Sequence, residues 1–356
     1  MTLLIFTLGP LFFSSLVYGN FSYDGDDGPS HWGDKYKTCL GKYQSPIDIE
    51  VNDVQPASFP PVEFSNVQSP HKANMTNNGH TVMIQIVDTD VPTVSGGPLN
   101  GSYVFQQLHF HWGQNDKIGS EDLINNKSFS MELHAVFWKK SYESSEEAMK
   151  HPDGLTVLAY LYESKDEPNP IFEPIVSQIS QITSTGSIAT IDDPNVLSKL
   201  VAPDIVSAQN YYTYRGSLTT PPCLEIVQWI DFIDPLSISH EQLEVFRGIQ
   251  SSEGANLTHN FRPVQPLNDR TIYYNSISGN TETKPTSASA TSTTSTTTTT
   301  AVPTEAKGTT GTTNAPTTVS ITPTNKNGSQ HSGQERIWMT SPLAMLFGIV
   351  LLLPYQ

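Results

Sequence analysis

Runs of alternating or continuous apolar residues dominate the chain after Thr81. Thr81–Val87, Tyr103–Trp112, Met131–Trp138, Leu155–Tyr162 and Cys223–Ile230 are rich in β-branched and aromatic side chains. Asn, Gly, Pro and Asp clusters separate them, among them Asn77-Asn78-Gly79 and Ser95-Gly96-Gly97-Pro98. Each run therefore predicts a β-strand. Helical signals are few. Asp193-Pro194 predicts the opening of a short helix. Ser239 with Gln242 predicts a capping box ahead of Leu243, Phe246 and Ile249. The pattern gives a mainly β (α+β) domain with short peripheral helices and no internal repeat.

Two further apolar runs stand at the ends. Met1–Gly19 is short and closes on Val17-Tyr18-Gly19, the pattern of a cleaved signal peptide, although no Lys or Arg precedes it. A buried strand or an anchoring helix is the alternative, against which Pro10 and the shortness of the run count. Near the other end, Pro342–Leu353 is apolar and no charged residue follows Arg336. A single-pass helix normally carries positive charge on its cytoplasmic flank. The small residues Asn327-Gly328-Ser329, a polar spacer and then the tail form instead the order of a glycosylphosphatidylinositol-anchor signal. Attachment at Asn327 would remove residues 328–356; Ser332 or Gly333 could serve instead, and a plain transmembrane helix is the competing expectation.

Composition divides what lies between. No Phe, Trp or Tyr occurs between Tyr274 and Trp338, and 23 of the 40 residues from Thr281 to Ser320 are Ser or Thr. Such a segment cannot bury enough apolar area to offset its ordering entropy, so residues 279–327 read as an O-glycosylated stalk. About 260 residues, 20–278, remain for one folded domain. The formal charge of −16, from 35 acidic and 19 basic residues, disfavours nucleic acid as a partner. Sequons at Asn20, Asn74, Asn100, Asn126, Asn256 and Asn327 support the secretory route. In that oxidising setting Cys39 and Cys223 most naturally pair, two buried thiols being the alternative.

The candidate chemistry lies in three of the ten histidines. His109 and His111 are two apart in a predicted strand, so both leave one face. His134 sits in a second predicted strand, and the stretch from Gly113 to Lys127 can return the chain so that the two pair. Three imidazoles with an open fourth position form the pattern of a catalytic zinc site, whereas structural sites are closed by four ligands. Gln107 shares a face with His109, and Glu132 with His134; such neighbours orient metal-bound imidazoles. A chance His-x-His on a solvated strand, or a cupin-type site with an added carboxylate ligand, remains open on spacing alone.

The surrounding motifs resemble the α-class carbonic anhydrases: His31-Trp32-Gly33, QSPIDI from Gln44, QLHFHWG from Gln107, Gly119-Ser120-Glu121, MELHAVFW from Met131, GSLTTPPC from Gly216 and NFRPVQPLNDR from Asn260. The resemblance runs from about Tyr23 to Tyr274, through motifs in register. It implies a central, twisted, mostly antiparallel sheet of ten strands, zinc in a conical cleft, and reversible hydration of carbon dioxide to bicarbonate and a proton by a zinc-bound hydroxide. It implies zinc on His109, His111 and His134, with Thr219 orienting the nucleophile through Glu121. Val136, Val157, Leu218, Thr220 and Trp229 would form the substrate pocket, and His80 the proton shuttle. The Cys39/Cys223 pair resembles the single disulfide of secreted and membrane-bound members.

Two positions depart from the family pattern. Asp34 follows His31-Trp32-Gly33 where many members have a Tyr that orders a water chain, and Met83 stands where Asn is common. His71, His151, His240, His259 and His331 read as surface or packing residues. The combined expectation is a zinc enzyme lipid-anchored at the extracellular face of the cell membrane. A noncatalytic adhesion or receptor ectodomain on a mucin-like stalk is the competing reading, disfavoured because all three histidines, Thr219 and Glu121 are present.

Overall fold

The predicted strands pair with one another across the middle of the molecule. A computed structural model describes residues 21–202 and 209–275. Its strands, in chain order, are β1 (Asp48–Ile49), β2 (Gln55–Ala57), β3 (Val62–Ser65), β4 (Ala73–Asn77), β5 (Val82–Ile86), β6 (Thr93–Gly96) and β7 (Tyr103–Trp112). They continue as β8 (Leu123–Ile124), β9 (Met131–Lys139), β10 (Leu155–Lys165), β11 (Ile188–Ile191), β12 (Tyr211–Gly216), β13 (Val227–Ser239) and β14 (Tyr273–Asn275).

Among the described residues, ten strands follow one path, β11-β4-β5-β7-β9-β10-β13-β12-β14-β2. β3 and β6 join at the side of β7, so the sheet has 12 strands where the family resemblance implies ten. Pairing is antiparallel except at β10–β13 and β14–β2. β1 and β8 form a separate parallel pair.

Side chains alternate across the sheet and so build two different faces. One face sends Leu108 and Phe110 of β7, Leu133 and Ala135 of β9 and Leu158 of β10 into the main core. The other sends Val136, Val157, Tyr214 and Trp229 into a second apolar cluster. Full burial of one such Val or Leu contributes about 1.5–3 kcal/mol. The histidines belong to this second face, because His109 and His111 alternate with Leu108 and Phe110 along β7 and His134 lies two residues from Val136 along β9.

The strand expected at Cys223 begins later, at Val227, and runs on to Ser239. Cys223 has a φ of +53°, outside the extended region, and its N–H closes a turn onto the Thr220 carbonyl at 2.8 Å. Cys39 and Cys223 are joined in a disulfide, with Cα atoms 4.9 Å apart. Closing so long a stretch of chain stabilises the fold by about 2–5 kcal/mol. The Ser239 capping box is formed with Gln242 and opens the helix His240–Arg247. The helix expected from Asp193-Pro194 starts at Val196 and ends at Val201. Among the described residues no helix is long and apolar enough to cross a membrane. The signal, stalk and anchor expectations, with Asn20 and Asn327, lie outside the described residues.

Candidate metal centre

The centre is assembled by register. β7 pairs with β9 so that His109 faces His134 and His111 faces Glu132. The return between these strands needs close backbone approach at Gly119, where a Cβ would lie 2.1 Å from the Ser130 carbonyl oxygen. One ring nitrogen from each histidine lies within 4.8 Å of the others.

Each imidazole spends its other nitrogen on an acceptor. His109 Nδ1 donates to Gln107 Oε1 at 2.9 Å, His111 Nδ1 to the Asn260 carbonyl at 2.8 Å, and His134 Nε2 to Glu132 Oε1 at 2.7 Å. These bonds leave lone pairs on His109 Nε2, His111 Nε2 and His134 Nδ1. His111 Nε2 is buried and has no hydrogen-bond partner. Burial holds His109 and His111 well below the ordinary imidazole pKa, helped by repulsion among the three rings, and pushes His134 down to about 3. Three neutral nitrogen donors, one of them an orphaned buried atom, fit a zinc ion with an open fourth position.

The surrounding carboxylates are tied down. Glu132 Oε2 accepts the backbone N–H groups of Glu121 and Asp122 at 2.8 and 2.9 Å. Burial pushes Glu132 up to about 8, while those N–H groups pull against it; three donors on one carboxyl group suit its ionised form. Glu121 Oε1 accepts the Arg262 N–H at 2.8 Å, and its Oε2 lies 3.4 Å from His111 Nε2. Burial raises the Glu121 pKa well above the carboxylate range, and bonds from the Thr219 side chain and the Arg262 N–H oppose that rise.

A cleft of about 630 Å³ opens over the three rings. Val136, Val157, Leu218, Thr219, Thr220 and Trp229 line it, as do Gln107 and His80. All the residues expected around the substrate thus come to one place. Trp229 stands edge-on to His134, ring centroids 4.8 Å apart.

A sequence model described as eukaryotic-type carbonic anhydrase matches residues 27–276. The chain belongs to this family. Its carbonic anhydrase domain is 39% identical over 259 residues to carbonic anhydrase 7 of Homo sapiens, covering 71% of this chain and 96% of that protein. Carbonic anhydrase 7 of Mus musculus is likewise 39% identical over 259 residues, with the same 71% and 96% coverage. Carbonic anhydrase 1 of Monodelphis domestica is 36% identical over 262 residues, 71% of this chain and 97% of that one.

Asp34 and His80 sit differently with respect to the carbonic anhydrase cleft. Asp34 does not face the cleft: the short helix Trp32–Lys35 buries Trp32 and Gly33 and turns Asp34 outward, with its side chain 82% exposed. A tyrosine lines the cleft nonetheless, Tyr23, alongside Phe21 and the expected Met83. His80 lines the cleft. It is only 7% exposed, because its ring stacks on Phe21 with centroids 3.9 Å apart. Burial lowers its pKa to about 4. Gly79, at φ +90°, supplies the left-handed turn that aims it inward.

Sequence reasoning passed over two partners. Asn260 and Arg262 lie in a quoted motif, but nothing local shows that one receives the His111 proton and the other binds Glu121, each from more than a hundred residues away. Three sequons, Asn100, Asn126 and Asn256, are exposed, and Asn74 is half-buried in β4.

Proposed function

We propose that this chain is a zinc lyase that catalyses the reversible hydration of carbon dioxide to bicarbonate and a proton at the outer face of a cell membrane. The observation that carries the reading is the convergence of three neutral, individually oriented imidazole lone pairs beneath an apolar cleft wall. Zinc held on these nitrogens would keep its full double charge and acidify water enough to make it a nucleophile at neutral pH.

The chain's own residues supply the rest. The Thr219 hydroxyl donates its only proton to Glu121, which leaves its oxygen to accept a hydrogen bond from water on the cleft side. The Thr219 backbone N–H, at the start of the turn closed by Cys223, holds an oxygen of carbon dioxide. Val136, Val157, Leu218 and Trp229 form an apolar wall suited to a nonpolar gas molecule. Gln107, Glu132 and Asn260 keep each imidazole in its lone-pair tautomer. His80, on the cleft wall, relays the released proton to the buffer, as a weaker acceptor than a solvated imidazole because burial lowers its pKa.

The cell-surface part of the proposal is supported by the apolar runs at both ends, the six sequons and the Ser/Thr-rich segment. The disulfide between Cys39 and Cys223 is consistent with an oxidising compartment. The test is stopped-flow carbon dioxide hydration on the chain displayed by expressing cells, repeated after phosphatidylinositol-specific phospholipase treatment. Activity that moves from cells to medium supports both parts. Activity that stays with the cells rejects the lipid anchor, and absence of activity rejects the enzyme.

A further inference from the structure

The cleft wall does not end at the cleft. β11, β4, β5 and β7 are neighbours in the sheet, and their registers align one row of side chains on a single face. Thr190 pairs with Asn74, and Asn74 with Gln85. Met83 pairs with His109, which places Gln85, two residues on, opposite Gln107. Gln85 and Gln107 line the cleft over the candidate metal centre. Neighbouring strands lie about 4.8 Å apart, so Asn74 stands about 10 Å from Gln107 on the same face.

Asn74 is also the acceptor position of Asn74-Met75-Thr76, and Thr76 shares its face. Its side chain is oriented: Asn74 Oδ1 accepts the Thr190 hydroxyl at 3.2 Å, so the amide nitrogen is the end left to project from the sheet. The other described sequons are placed differently. Asn100 and Asn126 lie in turns outside the large sheet, and Asn256 sits in an isolated bridge with Gln250.

The geometry points to Asn74 as an N-glycosylation site whose glycan screens the mouth of the catalytic cleft, admitting carbon dioxide and bicarbonate while obstructing bulky ligands. The inference rests on the secretory part of the proposed function. The co-reactant is a polyprenyl-pyrophosphate-linked oligosaccharide. The Asn74 amide nitrogen attacks the anomeric carbon, the bond from that carbon to the pyrophosphate oxygen breaks, and the amide nitrogen loses one proton. The lipid pyrophosphate leaves with the bonding electron pair. The reaction occurs before β4 is paired, after which Thr190 fixes the substituted amide toward the cleft side.

The test uses the full chain made in glycosylating eukaryotic cells. Peptide mapping after enzymatic deglycosylation in heavy-oxygen water should find Asn74 converted to labelled Asp. In parallel, binding is measured for an aromatic sulfonamide alone and for the same sulfonamide carried on dextran. Thr76→Ala, with Asn74→Gln as a second variant, should speed association of the dextran conjugate several-fold and leave the free sulfonamide unchanged. A bare Asn74 in protein in which any other sequon is occupied overturns the inference alone. A chain with no occupied sequon overturns it together with the secretory reading. Equal association of the conjugate with wild type and both variants overturns the screening role.

Discussion

His134 donates its Nε2 proton to Glu132 Oε1 across 2.7 Å, while the other oxygen of Glu132 takes two backbone N–H groups. A buried carboxylate with three donors is the only group of this shape that satisfies all of them. Glu132→Gln keeps the size but replaces one acceptor oxygen with an NH2 group, which must face either the imidazole or the backbone donors. We expect zinc affinity to fall about 10–100-fold, read by competition with a chromophoric chelator. Unchanged affinity would show that His134 needs no such partner.

The His80 ring lies nearly parallel to that of Phe21, at 10°. Burial at this position lowers the His80 pKa to about 4, whereas a shuttle works best near the ambient pH. Phe21→Ala opens the ring to water and should raise the His80 pKa toward about 6.5, followed by NMR titration. Carbon dioxide hydration in weak buffer should speed up, and added imidazole should erase the difference between variant and wild type. A titration that does not move would remove Phe21 as the cause.

Asp231 is a buried acid in β13, and neither of its carboxyl oxygens has a hydrogen-bond partner. Burial, with repulsion from Asp122 and Glu132, raises its pKa well above the ordinary value. A raised folded-state pKa means that the folded protein binds the proton more tightly than the unfolded chain. Stability is then undiminished below the unfolded Asp value of about 3.9 and is lost as pH rises toward the folded one. Asp231→Val, of similar volume, should stabilise the domain by about 1–4 kcal/mol near neutral pH. The gain should shrink as the pH approaches about 4, as read by urea unfolding across pH. A loss of stability at neutral pH would mean that Asp231 has a compensating role.

Much of this was legible in the residues themselves. β7 spans the whole predicted run because Tyr103–Trp112 is apolar on one face and carries Gln107, His109 and His111 on the other. That alternation put His109 and His111 on one face with Gln107, and Glu132 was read from its place two residues before His134; the register that sets His109 opposite His134 came only with the fold. Short strands such as β2, β3 and β14 were not legible: each is three or four residues long and is held by neighbours distant in sequence rather than by its own pattern. The same limit hid Asn260 and Arg262, whose contacts depend on the closed fold. The outward direction of Asp34 was not legible either, because it is set by a short helix that faces Trp32 inward, which no local pattern specifies. Cys223 misled because a pairing with Cys39 and a positive φ override the apolar residues that follow.

The central claim is that His109, His111 and His134 together hold the ion on which carbon dioxide hydration depends. It is tested most directly by quantifying zinc and measuring stopped-flow hydration on one preparation of the wild-type chain, alongside His134→Ala. We expect one zinc per chain with rapid hydration in the wild type, and loss of both in the variant with the fold retained by circular dichroism. Well-folded wild-type protein without zinc, or a variant that keeps stoichiometric zinc and full activity, would contradict the assignment.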